Sequence, residues 1–161
     1  MMQSRLDDML LTIEPGDPGG MFAQMYGFAW AYARTVMRPD MLALARLIIG
    51  EAQRFPQIGL AYQQSGPDQL LAGLMDWLTH LRSAGKLAFD DAELAAQDLW
   101  GLVLSAPRTR ALYEADWTPT DADLARYIHN GLRVFLSGYA TTPAKELAAL
   151  AQVIARHEEP G

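Results

Sequence analysis

Chemistry in this chain has to come from a short set of side chains. It holds three histidines (His80, His129 and His157), 13 Lys and Arg, 19 Asp and Glu, and no cysteine. Without cysteine there are no disulfides, thiolate metal sites or thiol nucleophiles. Histidine moves protons near neutral pH and binds metals, but a metal site needs ligands at set spacings. Neither His-x-x-x-His nor Glu-x-x-His occurs. The chain also has no G-x-S-x-G elbow, P-loop or G-x-G-x-x-G. The carboxylate pairs Asp7-Asp8 and Asp90-Asp91 fall at helix starts or in polar stretches, where capping and solvation account for them. The pattern gives an enzyme no support, and neither a metal nor a cofactor is expected.

Three polar residues sit against apolar faces. On the helical wheel Glu51 falls between Leu44 and Leu47, where a carboxylate needs a partner. It either accepts from backbone N–H groups near Phe55-Pro56 or anchors a ligand. His80 lies at the edge of an apolar arc beside Trp77, as a rim residue or as a donor into a pocket. Together with Arg46, these two leave room for an ionic group on a ligand.

The elements that position them are helical. Ala and Leu dominate, and no sustained alternation of β-branched and polar residues marks a strand. Prolines stand where first turns begin, in Asp17-Pro18, Arg38-Pro39, Phe55-Pro56, Gly66-Pro67, Thr118-Pro119 and Thr142-Pro143. Asp90 with Glu93, and Thr118 with Asp121, have the spacing of a capping box. Gly85 suits a left-handed C-cap. The reading is an all-α single domain of about eight helices, near 3–14, 18–38, 39–54, 56–65, 67–84, 91–106, 119–140 and 143–157, with a short turn near 107–115.

At 161 residues, 50% hydrophobic and a net charge of -6, the chain is a packed domain whose surface disfavours phosphate, so direct nucleic-acid binding is not expected. The longest uncharged run, Pro18 to Ala33, is too short to span a bilayer. Arg5, Asp7 and Asp8 interrupt the first apolar stretch, which argues against a signal peptide. The expected location is the cytoplasm, with no membrane partner.

The helix faces differ in kind. The 18–38 helix is apolar nearly all round and rich in Met and aromatics, so other helices must surround it. Such residues wall an apolar ligand cavity or fill an ordinary core. In 67–84, Leu70, Leu74, Trp77, Leu78 and Leu81 share one face; in 39–54 the face is Met41, Leu44, Ala45, Ile48 and Ala52. In 119–140 the stripe Leu124, Ile128, Leu132, Phe135 and Tyr139 widens through Tyr127, Gly131, Val134 and Gly138 to roughly 160°, beyond the width a core stripe needs. The 91–106 helix is as wide, through Ala96, Trp100 and Leu104. Glycine is unfavourable inside a helix, so Gly131 and Gly138 point to close approach of another backbone. Surplus apolar surface on two adjacent helices is covered either by a second copy in a four-helix contact or by this chain's own helices.

The stretch from Leu42 to Tyr139 resembles the C-terminal effector-binding and dimerisation domain of TetR-family transcriptional regulators, of the AefR-like type. The resemblance is carried by Ala-Arg-Leu-Ile-Ile-Gly-Glu-Ala-Gln-Arg-Phe-Pro-Gln-Ile at 45–58 and by Tyr62 with Gly66-Pro67. Further along it is carried by Gly85-Lys86-Leu87 with Asp90 to Leu94, and by Tyr127-Ile128 through Val134 to Tyr139. It implies a small-molecule-responsive repressor that works as a homodimer. In that frame 1–14 is a connecting helix, 18–84 supplies pocket helices, 91–140 supplies dimerisation helices, and 143–157 is an added C-terminal helix. Met25, Phe28, Tyr32, Ile48, Trp77, His80 and Trp100 are the expected effector contacts. Ala96, Trp100, Leu104, Tyr127, Gly131, Val134 and Gly138 are the expected dimer contacts. Members of this family begin with a helix-turn-helix domain, and no recognition helix with a basic flank is expected here. A ligand-free adaptor and a small all-α enzyme are the alternatives.

Overall fold

The structure, a computed structural model, describes residues 20–158. The helix expected near 3–14 and the helix start at Pro18 lie outside the described residues. Within them the chain forms seven helices: α1 Gly20–Val36, α2 Pro39–Glu51, α3 Pro56–Ser65, α4 Pro67–Ser83, α5 Ala92–Tyr113, α6 Asp121–Tyr139 and α7 Pro143–Glu158. An isolated antiparallel bridge, Leu87 with Ala140, ties the α4–α5 loop to the end of α6.

Local chemistry sets most boundaries. Pro39, Pro56, Pro67 and Pro143 each open a helix, where the missing N–H costs nothing and φ is preset. Gly85 closes α4 at φ 74°. Its N–H donates to the Arg82 carbonyl at 2.9 Å and the Lys86 N–H donates to Leu81 at 3.0 Å, the paired bonds of a Schellman cap. The N-caps of α5 and α6 fall later than the sequence spacing predicts. Asp91, not Asp90, accepts from the Leu94 N–H at 3.1 Å. Thr120, not Thr118, forms a reciprocal box with Asp123, because that pair completes both bonds at once.

A break at 106 followed by a short turn is corrected by the structure, in which α5 runs unbroken to Tyr113 with Pro107 buried inside it. A mid-helix proline removes one backbone bond and crowds the preceding turn. The turn beyond it is held from outside. Arg46 of α2 donates from Nε to the Leu112 carbonyl at 3.0 Å and from Nη2 to the Ala111 carbonyl at 2.9 Å. A cation there also matches the negative end of the helix. The same reach sets the rotation of α2. Leu42 and Ala45, beside Arg46, face inward and are buried, whereas Leu44, expected on the core face, is 41% exposed. No residue of α3 is buried, so α2 and α3 form a thinly packed outer wall.

α1 runs through the middle, packed on α2, α5, α6 and α7. The expected face of α4 is buried in full, as is most of the α6 stripe. Glu146 of α7 is also buried; its Oε1 accepts from the Thr142 hydroxyl at 3.1 Å within the first turn.

The closest meeting of elements joins α5 and α6. A Cβ placed on Gly131 would lie 2.6 Å from the Leu102 carbonyl oxygen and 3.0 Å from the Val103 Cα. The backbone that approaches Gly131 is thus this chain's own. A Cβ on Gly138, or on Gly27 in mid-α1, would meet nothing within 4 Å. Gly131→Ala is therefore expected to lower stability by about 1–3 kcal/mol through overpacking. Gly27→Ala is expected to raise it by up to about 1 kcal/mol through helix propensity. Urea unfolding of both variants checks the pair; equal effects would contradict it.

Candidate functional site

One face of α1 presents Met25, Phe28 and Tyr32 at i, i+3 and i+7, all buried. Phe28 and Tyr32 stack with centroids 6.0 Å apart and planes 11° from parallel. Trp77 of α4 meets Phe28 at 6.5 Å. Trp100 of α5 meets Tyr32 edge-on at 5.9 Å, and its Nε1–H donates to the Tyr32 hydroxyl oxygen. Four aromatic rings from three helices thus form a continuous row.

The polar groups of this row are unevenly matched. Burial pushes the Tyr32 hydroxyl up to about 12, against smaller downward pulls from the Trp100 bond and the nearby Arg108 guanidinium. Tyr62 of α3 is also close enough to act on it, so the outer wall reaches the row. Trp77 Nε1 and Arg108 Nε are both sealed from solvent with no hydrogen-bond partner. No spacing rule identifies Arg108 as part of the site. The usable signal is its place two turns after Trp100 on the same side of α5.

The other expected pocket residues sit differently. Ile48 is half-buried on α2, and His80 is exposed on α4. The link expected of the Glu51 carboxylate is not made; the Phe55 N–H donates instead to the Glu51 backbone carbonyl at 2.8 Å. Arg46 is bound to α5 as described.

The expected dimer residues divide in two. Ala96 and Leu104 are fully buried in the chain's own core, Trp100 belongs to the aromatic row, and Gly131 is pressed on α5. Tyr127 is half-buried, while Val134 and Gly138 are exposed. The outer faces of α5 and α6 keep apolar surface: Leu94 is 57% exposed, Leu102 38% and Val134 39%.

An open groove of about 430 Å³ lies between α6 and α7. Arg126, His129 and Arg133 line one side, and Leu147, Leu150 and Ile154 the other. At its edge the Tyr26 hydroxyl lies 3.1 Å from His129 Nε2. The sequence reading passed over this groove, although the three basic residues recur on one side of α6. Among the described residues, no three His, Asp or Glu side chains meet to hold a metal ion. No helix among them is long and apolar enough to cross a membrane.

Residues 23–141 match the family of AefR-like transcriptional repressors, over its C-terminal domain. Among solved structures, the chain is similar to a protein assigned to the TetR-family regulators of Mesorhizobium loti MAFF303099, with TM-score 0.79 and 25% identity. That match covers 87% of this chain and 68% of the other. The flavonoid-responsive regulator FrrA gives TM-score 0.69 at 24% identity, over 87% of this chain and 71% of its own. A TetR-family regulator from Pseudomonas syringae pv. tomato DC3000 gives 0.67 at 19%, over 88% and 71%. No curated protein matches in sequence. The chain belongs to the TetR-type transcriptional regulators, as an AefR-like C-terminal domain. Members of this family act as dimers that bind small-molecule effectors.

The Tyr139 hydroxyl is pushed up to about 12 as well, by donating to Asp98 Oδ2 at 2.5 Å. Both tyrosines hold their protons more tightly folded than unfolded. Their stabilisation is full below the ordinary tyrosine value of 10.0 and is lost as pH rises from there through about 12. A phenolate absorbance titration should show two late-ionising tyrosines, one of which disappears in Tyr32→Phe. That variant should also lose about 1–3 kcal/mol, because the half-buried Trp100 N–H loses its acceptor. Ionisation of every tyrosine near 10, or an unchanged stability, would contradict this.

Proposed function

We propose that this chain is the sensor half of a TetR-type repressor. It binds an apolar or amphipathic small molecule along the aromatic row and pairs with a second copy through α5 and α6. The carrying observation is the row Trp77–Phe28–Tyr32–Trp100, buried except for the half-buried Trp100, in which the sealed Trp77 indole N–H lacks an acceptor. An ordinary core satisfies its polar groups; a ligand site leaves some for the ligand. The pairing is supported by the apolar exposure of Leu94, Leu102 and Val134 on the outer sides of two helices already locked together. The chain acts as a binding module in the cytoplasm and carries out no catalysis. With its net charge of -6 it does not read DNA by itself.

Two measurements test this. A thermal-shift screen of uncharged and charged aromatic compounds, flavonoids included because FrrA responds to them, should find stabilising ligands. At 100 times the dissociation constant the gain is about 2.7 kcal/mol. Trp77→Ala should remove the shift and leave the oligomeric state unchanged. In light scattering the wild type should be a dimer at micromolar concentration, and Val134→Arg should give a folded monomer. A screen without hits, or a wild-type monomer, would overturn the corresponding half of the proposal.

A further inference from the structure

We infer that two copies of this chain pair by laying the exposed ridge Asp91, Leu94, Asp98 and Leu102 of one copy into the groove between α6 and α7 of the other. This rests on reading the outer faces of α5 and α6 as the pairing surface. It adds α7 as the receiving wall and names the charges that set the register.

The inference comes from two surfaces of one chain that complement each other. Asp91, Leu94, Asp98 and Leu102 are all exposed. They follow one another at i, i+3, i+7 and i+11, which places them on one stripe at the start of α5. The groove has the opposite charge on the same scale. Arg126 and Arg133 line it from α6, and Leu147, Leu150 and Ile154 line it from α7. The two arginines are seven residues apart, as the two aspartates are, about 10 Å along a helix in each case. An open groove between two helices encloses a small molecule poorly. It receives a third helix well, here with the aspartates toward α6 and the leucines toward α7.

The charges are held in place for this. Asp91 Oδ1 caps the Leu94 N–H and Asp98 Oδ2 accepts from Tyr139, which fixes both side chains and leaves each a second oxygen for a cation. Arg133 donates to the neutral Asn130 side chain at 2.8 Å and so keeps its charge. The carboxylates near the groove are engaged elsewhere: Asp123 in the cap of α6, and Glu158 at 3.9 Å from His129 Nδ1. Within one chain α6 packs on both α5 and α7, while α5 and α7 make no contact. The ridge therefore does not reach its own groove, and a second copy supplies it. Two-fold symmetry then makes the contact twice.

The test is sedimentation of two charge-reversed versions of the intact chain, alone and mixed. Arg126→Glu with Arg133→Glu makes the groove acidic, and Asp91→Lys with Asp98→Lys makes the ridge basic. Each version alone should dimerise at least about a hundredfold more weakly than wild type, because like charges then meet in both contacts. Mixed one to one, the two should form a heterodimer within about tenfold of the wild-type affinity, because opposite charges meet again in both. Leu94→Lys with Gly101→Lys is a second ridge variant, also spaced by seven. It breaks no hydrogen bond of a side chain, and a Cβ on Gly101 meets nothing within 4 Å. It should be rescued by the groove variant in the same way, so a folding defect in the aspartate variant does not decide the result. Homodimers that survive the reversals, or mixtures that stay monomeric, would overturn the docking. If the wild type is then still a dimer that Val134→Arg splits, pairing through α5 and α6 stands without the groove. A monomeric wild type would overturn both.

Discussion

The contact of α6 on α5 at Gly131 is the constraint on which the rest of the molecule depends. With a prospective Cβ only 2.6 Å from the Leu102 oxygen, the two helices meet backbone to backbone and cannot slide without a clash. That fixes the far sides of α5. One direction presents Trp100 to Tyr32 of α1; another leaves Leu94 and Leu102 exposed, as Val134 is on α6. The aromatic row and an apolar outer surface therefore share one rigid helix. Any shift of α5 is felt on both sides, which is the geometry a sensor needs to convert binding into a change at its partner contact.

The opposite wall is built differently. α3 buries nothing and α2 buries little, so this part belongs to the low-stability end of the fold, where local opening is easiest. Arg46 is what fastens it, through two carbonyls at the end of α5. The aromatic row thus lies between a rigid pair of helices and a thinly packed wall clasped by Arg46, the arrangement that the proposed effector binding calls for.

Much of this was legible from residue types. Prolines at first turns, Gly85 at a left-handed cap and the period of α4 each act locally, and each is where its chemistry places it. The all-apolar character of α1 correctly made it central. The failures share one cause. Arg46 meets residues 65 and 66 positions away, and no local pattern encodes that; yet this bond rotates α2 away from its apparent apolar face and carries α5 past Pro107. Gly131 was read as a close approach, which it is, but helix spacing does not say whose backbone approaches. The aromatic row of Phe28, Tyr32, Trp77 and Trp100 was accessible because aromatics at helical spacing stand out. Arg108 was not, because an arginine is read as solvated until its surroundings are known.

The claim that the aromatic row is the ligand site is met most directly by the indole N–H resonances of the ¹⁵N-labelled protein. The chain has four tryptophans, Trp30, Trp77, Trp100 and Trp117, each with one indole N–H. Trp77 and Trp100 border the row, whereas Trp117 stacks under Arg110 in the α5–α6 loop. On titration with a stabilising aromatic compound, the Trp77 and Trp100 signals should move together and saturate, and Trp117 should stay in place. Saturable movement of Trp117 or Trp30 with Trp77 and Trp100 unmoved would put the ligand elsewhere and contradict the account.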